Sequence, residues 1–397
     1  MSCQERRKYL YSLLLAEYTA KAVFESAAIV LEPAQAALSL NSQKCFAWLD
    51  ANLNAHPQGR YSYLAAEPED ILCVGHGQAK PFDALRDIQR HPGFWIGYIN
   101  YDAAFEADAT LRAVHARDER LPLLFFARYP ALYCFDHHQK QGWILAQDKQ
   151  AAQRFEALLN NPTSTITPCT IADIQVDVDS KEAHTAAIEQ ALEHIRQGNI
   201  YQANLARRWR CQFKAKPLSL FLRMREQSPV PYGFFLAQQN FAVLGRSMEC
   251  FFDWQGPGKR LFSKPIKGTI KESTDANLRS HTQLYDDPKE RAEHTMIVDL
   301  MRNDLSKVAQ PRSVKVTEPY AIEAYTGLSH MVSTVECISR DDLGICEIMQ
   351  SLFPPGSVTG TPKHRAMQLI EELEPASRAL SQAPPASFSL MAALSSR

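Results

Sequence analysis

Two spacings of apolar positions divide the chain. Up to about residue 147, short apolar runs are broken by turn residues. Segments 59–64, 93–101, 123–126 and 143–146 are aromatic or branched, glycine-punctuated and predicted to be strands. A polar, Thr- and Pro-rich stretch, 160–179, reads as a linker. Beyond it the period lengthens. Asp179, with Glu182 three residues on, predicts a helix start. Ile188, Leu192 and Ile195 then form an apolar stripe that Gly198 ends. Strand candidates 233–237 and 241–245 follow. Asp287-Pro288 starts a second helix with Ala292, Met296, Leu300 and Met301 on its apolar side. A third helix begins after Pro362 and carries Met367, Ile370 and Leu373. Strands mixed with separated helices, without repeats, predict an α+β fold. The expected organisation is a sheet-rich part at 1–159, the linker 160–179, a more regular part at 180–375 and an atypical tail at 376–397.

Composition narrows the class. With 397 residues, 45% of them hydrophobic, the chain can bury a large core or two packed domains. A net charge of -1 argues against nucleic-acid or membrane-surface binding through bulk charge. No window approaches the roughly 18 apolar residues of a membrane span, and no apolar signal core follows the charged start. Nine dispersed cysteines without a C-x-x-C pair read as reduced thiols. A cytoplasmic enzyme is therefore expected. The tail 376–397 differs in kind, with six Ala and six Ser but no Asp, Glu, Gly or Tyr.

Five segments carry candidate chemistry. In Lys264-Pro265-Ile266-Lys267-Gly268-Thr269, Lys267 lies between a β-branched residue and a Gly-Thr turn, a setting that can desolvate an amine for nucleophilic use. Segment 355–363 places Gly356, Ser357, Thr359 and Gly360 before a helix that opens with Lys363. Its backbone N–H groups, hydroxyls and one cation suit an anion such as a carboxylate. Glu290 and Glu293 share one helix face and could hold Mg²⁺ through one or two oxygens. Glu249, in Ser247-Met248-Glu249, is a candidate acid/base beside apolar neighbours. His330 sits in the strand-like run 328–333 and reads equally as a hydrogen-bonded core residue.

Taken in order with Ile200-Tyr201-Gln202-Ala203-Asn204-Leu205 and the helix segment 292–305, these motifs resemble the chorismate-utilising enzymes over residues 179–375. That family includes the anthranilate, isochorismate, salicylate and aminodeoxychorismate synthases. The implied fold is a large antiparallel β-sandwich flanked by helices, with the site in a central cleft. Lys267 resembles the aminodeoxychorismate synthases (component I), where anthranilate synthases and water-using members usually carry Ala. The resemblance implies covalent attack by Lys267 on chorismate, followed by displacement with ammonia to give 4-amino-4-deoxychorismate. Glu249 is implied as acid/base. Gln202, where water-using members place a Lys, fits ammonia as nucleophile. Glu293, with Glu290 as a further candidate, is implied to bind Mg²⁺. His330 would line the pocket, with Gly268, Thr269 and the 356–363 loop around the substrate. Ammonia is expected from a separate glutamine amidotransferase subunit.

After residue 378 the resemblance stops. The family continues with strands carrying a substrate-binding Arg and a helix with further Mg²⁺-binding glutamates. The sudden loss of acidic and glycine residues leads us to expect a frameshift near codon 378 and a truncated C-terminal part. Two other readings stay open at this point. One is an anthranilate synthase component I that carries Lys267. The other is a non-catalytic remnant that binds the glutaminase subunit.

Overall fold

The computed structural model describes residues 24–380, apart from 54–55, 79, 92, 162–176, 179, 211–214 and 272–282. Three antiparallel sheets dominate. The largest has seven strands, ordered Phe24–Glu25, Gln141–Ala146, Ala131–Asp136, Tyr61–Ala65, Ala47–Asp50, Tyr232–Ala237 and Ala242–Ser247. A three-stranded sheet is formed by Asp70–Val74, Leu124–Tyr129 and Phe94–Ile99. The third sheet joins Cys250–Trp254, Arg260–Lys264, Leu328–Ile338 and Ile266–Lys271, with Lys315–Tyr325 also paired to Leu328–Ile338. Alternation of side chains across the pleat gives each sheet two usable faces.

Those faces define the layers. Tyr61, Tyr63, Trp143 and Phe234 of the seven-stranded sheet pack against Phe94, Ile96, Tyr98 and Phe125 of the three-stranded sheet. The other face of the large sheet is covered by the helices Pro33–Leu40, Lys149–Leu159 and Pro217–Gln227, through Trp48, Phe155 and Phe221. The opposite face of the small sheet meets the third sheet and the helices Pro288–Ser306 and Ile345–Leu352, around Phe126, Trp254, Leu261 and Met349. This is the expected α+β sandwich flanked by helices. Sequence order does not partition it: Phe234 pairs with Leu49, so strands from both sides of the 160–179 stretch share one sheet.

Several local expectations change. Asp179 lies outside the described residues. Ser180 caps the helix Lys181–Arg196, its Oγ accepting from the Ala183 N–H at 3.3 Å. The stripe Ile188, Leu192 and Ile195 is 39%, 44% and 37% exposed, and the buried positions are Ala187 and Ala191. Small residues let this helix lie close to its neighbour, so its large apolar side chains face outward. On Pro288–Ser306, Ala292 is exposed, whereas His294, Ile297, Val298 and Met301 are buried. His294 can be buried because its Nε2 reaches Ser333 Oγ at 2.7 Å.

Candidate active site

The chain crosses from the seven-stranded sheet to the third sheet at Met248 and Glu249, between the strands Ala242–Ser247 and Cys250–Trp254. Glu249 keeps part of its surface open, but its carboxyl is surrounded by protein. Burial raises its pKa to about 7, against the opposing pull of a Ser357 hydrogen bond, the Lys267 charge and the Ile266 N–H. A carboxyl poised near neutrality can give and take back a proton at physiological pH.

Lys267 lies on the strand Ile266–Lys271, opposite Met331. The pairing register slips between Lys267 and Thr269, at a bulge where Gly268 adopts φ +76°. A Cβ on Gly268 would stand 3.0 Å from Leu284 Cδ1 and 3.1 Å from Glu290 Oε2, so glycine lets that carboxylate approach the strand. Glu290 and Glu293 are both half-buried, and Glu293 lies 3.9 Å from Lys289 Nζ. A cavity of 470 Å³ is lined by Glu290, but not Glu293, together with Thr269, Ile270, Leu284, Asp286 and Asp287.

Thr269 and Gly268 are joined to His330. His330 Nδ1 lies 3.0 Å from Thr269 Oγ1 and 3.2 Å from the Gly268 carbonyl, while its Nε2 lies 3.1 Å from Met248 Sδ. Burial lowers the His330 pKa, so the ring is neutral around pH 7.

The third part of the site is a stitched pair of loops. Gln202–Ala203 pairs with Gly360–Thr361. Backbone bonds from Tyr201 N–H to Thr361 O (2.7 Å) and Asn204 N–H to Thr359 O (2.8 Å) extend the seam, and Asn204 Nδ2 donates to Ser357 O at 3.0 Å. A Cβ at Gly360 would lie 2.1 Å from the Gln202 carbonyl, so only glycine permits this approach. Gln202 Oε1, Ser357 Oγ and Thr361 Oγ1 are buried without a hydrogen-bond partner of ordinary geometry among the described residues. Buried polar atoms left in this state cost stability unless a ligand or water completes them. Gln202 and Thr361 are cross-strand partners, so their side chains share a face.

Not every residue expected at the site is free to act there. Lys363 is committed elsewhere. Its Nζ pairs with Asp304 Oδ2 at 2.5 Å and donates to Leu352 O at 2.9 Å. It lines a larger cleft of 960 Å³ with Phe82, Arg86 and Phe353, a region that holds none of the other expected site residues. Thr359 is fully buried and spends its hydroxyl on Pro355 O at 3.0 Å. Gly356 packs under Leu300, where a Cβ would stand 2.4 Å from Leu300 Cδ2, so it serves helix packing. The sequence reading did not single out Thr361, whose signal is its register opposite Gln202. Nor did it select Asn204 for its bond to the Ser357 carbonyl.

The chain matches the profile of the chorismate binding enzymes over residues 37–383. It is 30% identical over 351 residues to aminodeoxychorismate synthase component 1 of Salmonella typhimurium, covering 81% of this chain and 76% of that one. It is 33% identical over 375 residues to anthranilate synthase component 1 of Thermus thermophilus, covering 86% and 80%. The solved anthranilate synthase component I of Streptococcus pneumoniae superposes with a TM-score of 0.69 at 23% identity, over 81% of this chain and 78% of the other. Likeness at that identity speaks for the fold. The match across most of the chain speaks for ancestry: this chain belongs to the chorismate binding enzyme family.

Proposed function

We propose that the chain is an aminodeoxychorismate synthase component I, acting on chorismate and ammonia. The observation that carries this reading is the juxtaposition of a lysine at position 267 with a glutamic acid held near neutrality at position 249. The Lys267 amine attacks carbon 2 of the chorismate ring through its nitrogen lone pair. The carbon 4 hydroxyl departs as water with a proton from Glu249, leaving a carboxylate. Ammonia then adds at carbon 4 and expels the lysine amine, and the Glu249 carboxylate takes the proton shed by the new ammonium. Chorismate and ammonia thus become 4-amino-4-deoxychorismate and water, and both side chains return to their starting states.

Gln202 and Thr361 would meet polar groups of the substrate, since each presents a buried polar atom without a partner among the described residues, while Ser357 also faces the Glu249 carboxyl. Among the described residues no cluster of three or more His, Cys, Asp or Glu side chains forms a metal cage. Mg²⁺ does not need one, because it commonly binds through one or two carboxylates with water and substrate completing the shell. Glu290 and Glu293 fit that donor set. Bound there, the ion would neutralise a substrate carboxylate. Ammonia is assigned to a glutamine amidotransferase partner, in keeping with the words component 1 in the relatives' names. No helix among the described residues is long and apolar enough to cross a membrane.

The test mixes the chain with chorismate, Mg²⁺ and an ammonium salt and identifies products by mass and retention. Aminodeoxychorismate is expected, with at least about 100-fold loss on Lys267→Ala. Anthranilate as the product would support the second reading, which the 33% identity to the Thermus thermophilus protein favours. No turnover, with a glutaminase subunit still captured, would support the non-catalytic reading.

A further inference from the structure

One buried charge cluster lies beside the site, and of its members only Lys264 belongs to a motif already described. Glu323, on the strand Lys315–Tyr325, receives Lys264 Nζ on Oε1 at 2.5 Å. Its Oε2 receives His56 Nε2 at 2.9 Å and the Tyr325 hydroxyl at 2.9 Å. Lys264, His56 and Tyr325 are only 9%, 5% and 4% exposed, so water competes little for these bonds. Burial alone would raise the Glu323 pKa; hydrogen bonds and charge from His56 and Lys264 bring it down to about 2. Isolated pairs of this kind add little net stability, which invites a functional explanation.

The geometry supplies one. The Tyr325 hydroxyl also reaches the Met248 carbonyl at 3.4 Å, and its ring meets His330 edge-on at 5.1 Å between centroids. His330 in turn lies with one nitrogen against Met248 Sδ and the other against Thr269 and Gly268, and as a neutral ring it donates on one of these sides only. Met248 is therefore contacted at its carbonyl by Tyr325 and at its sulfur by His330, one residue before Glu249, where the chain crosses between sheets. Lys264 ends the strand immediately before the Pro265-Ile266-Lys267 run, whose Pro265 carbonyl accepts from Ser333 N–H at 3.4 Å. The acid and the nucleophile are thus tied to one frame.

We propose that Glu323 and Tyr325 are positioning residues that hold the Met248–Glu249 crossover at a fixed place relative to Lys267. This rests on the reaction proposed above for its kinetic consequence, but the brace itself has an independent readout. Hydrogen exchange followed by mass spectrometry on the full chain compares wild type with Tyr325→Phe and Glu323→Gln. Exchange at 247–250 is expected to rise several-fold in both variants, with the strand Ala131–Asp136 unchanged. With chorismate, Mg²⁺ and ammonium, kcat should fall by about ten-fold or more while KM stays within about two-fold. Glu323→Gln leaves Lys264 without its countercharge, and if that variant fails to fold, Tyr325→Phe, which loses one hydroxyl, still decides. Unchanged exchange at 247–250 in Tyr325→Phe overturns the brace whatever the product. Raised exchange with unaltered kcat overturns its role in positioning. A wild-type chain making anthranilate, or nothing, overturns the reaction assignment alone, and the exchange result then judges the brace.

Discussion

Glu249 ties protonation to both chemistry and stability. Its folded pKa of about 7 lies above the ordinary value of 4.5. Between those two values the folded chain holds a proton that the unfolded chain has released. Stability from this group is therefore complete below about pH 4.5 and is lost as pH rises through 7. Glu249→Gln, which keeps the neutral form permanently, should raise Tm at pH 8 by roughly 2 °C or more and change it little at pH 5. The same variant should lose turnover, so calorimetry and product assays read opposite signs at one position. Thr361→Val should raise the KM for chorismate without lowering Tm, because its hydroxyl has no hydrogen-bond partner among the described residues to lose. At this scale the chemistry-bearing types were legible: Lys267, Glu249, Gln202 and Glu290 stand in recognisable motifs, with Glu249 within reach of the Lys267 charge and Glu290 against Gly268. The ion pair of Lys363 with Asp304 was not legible, because Asp304 is far away in sequence and no local pattern announces a buried ion pair.

Among elements, two glycines decide how strands and loops approach one another. Gly360→Ala places a Cβ 2.1 Å from the Gln202 carbonyl, so the Gln202–Ala203 and Gly360–Thr361 pairing must open. Turnover should fall at least about ten-fold, and limited proteolysis should cut sooner within 200–206. The helices at 181–196 and 288–306 were legible from caps and spacing, but the faces they bury were not. Periodicity marks where apolar residues align; it does not reveal that Ala187 and Ala191 make the close contact or that His294 turns inward to Ser333. The bulge at Gly268 was equally hidden, because a register shift depends on the partner strand Leu328–Ile338.

For the whole molecule, the α+β class follows from the mixture of strand runs and separated helices and the sandwich from the family resemblance, while the distribution of strands among three sheets follows from neither. The segment just beyond the last helix is a structural knot. Arg378, 3% exposed, donates to Glu374 at 2.6 and 2.9 Å and to the Val358 carbonyl at 2.6 Å, and also bonds Asn204 O. Glu374 accepts from Ala206 N–H at 2.8 Å, so one buried pair ties the segment after Gln202 to the loop around Val358. Arg378→Met should cost about 3 kcal/mol or more in denaturant unfolding, because it strands the Glu374 carboxylate. The pairing of Leu49 with Phe234 also has a temporal side. A ribosome must add roughly 180 residues between Asp50 and Tyr232, which takes about 10–40 s at ordinary elongation rates. Throughout that interval the strand Ala47–Asp50 lacks its neighbour and presents an open, apolar sheet edge to the cell. The nascent chain is thus most vulnerable to aggregation midway through synthesis, and slower translation between these strands would lengthen its dependence on chaperones.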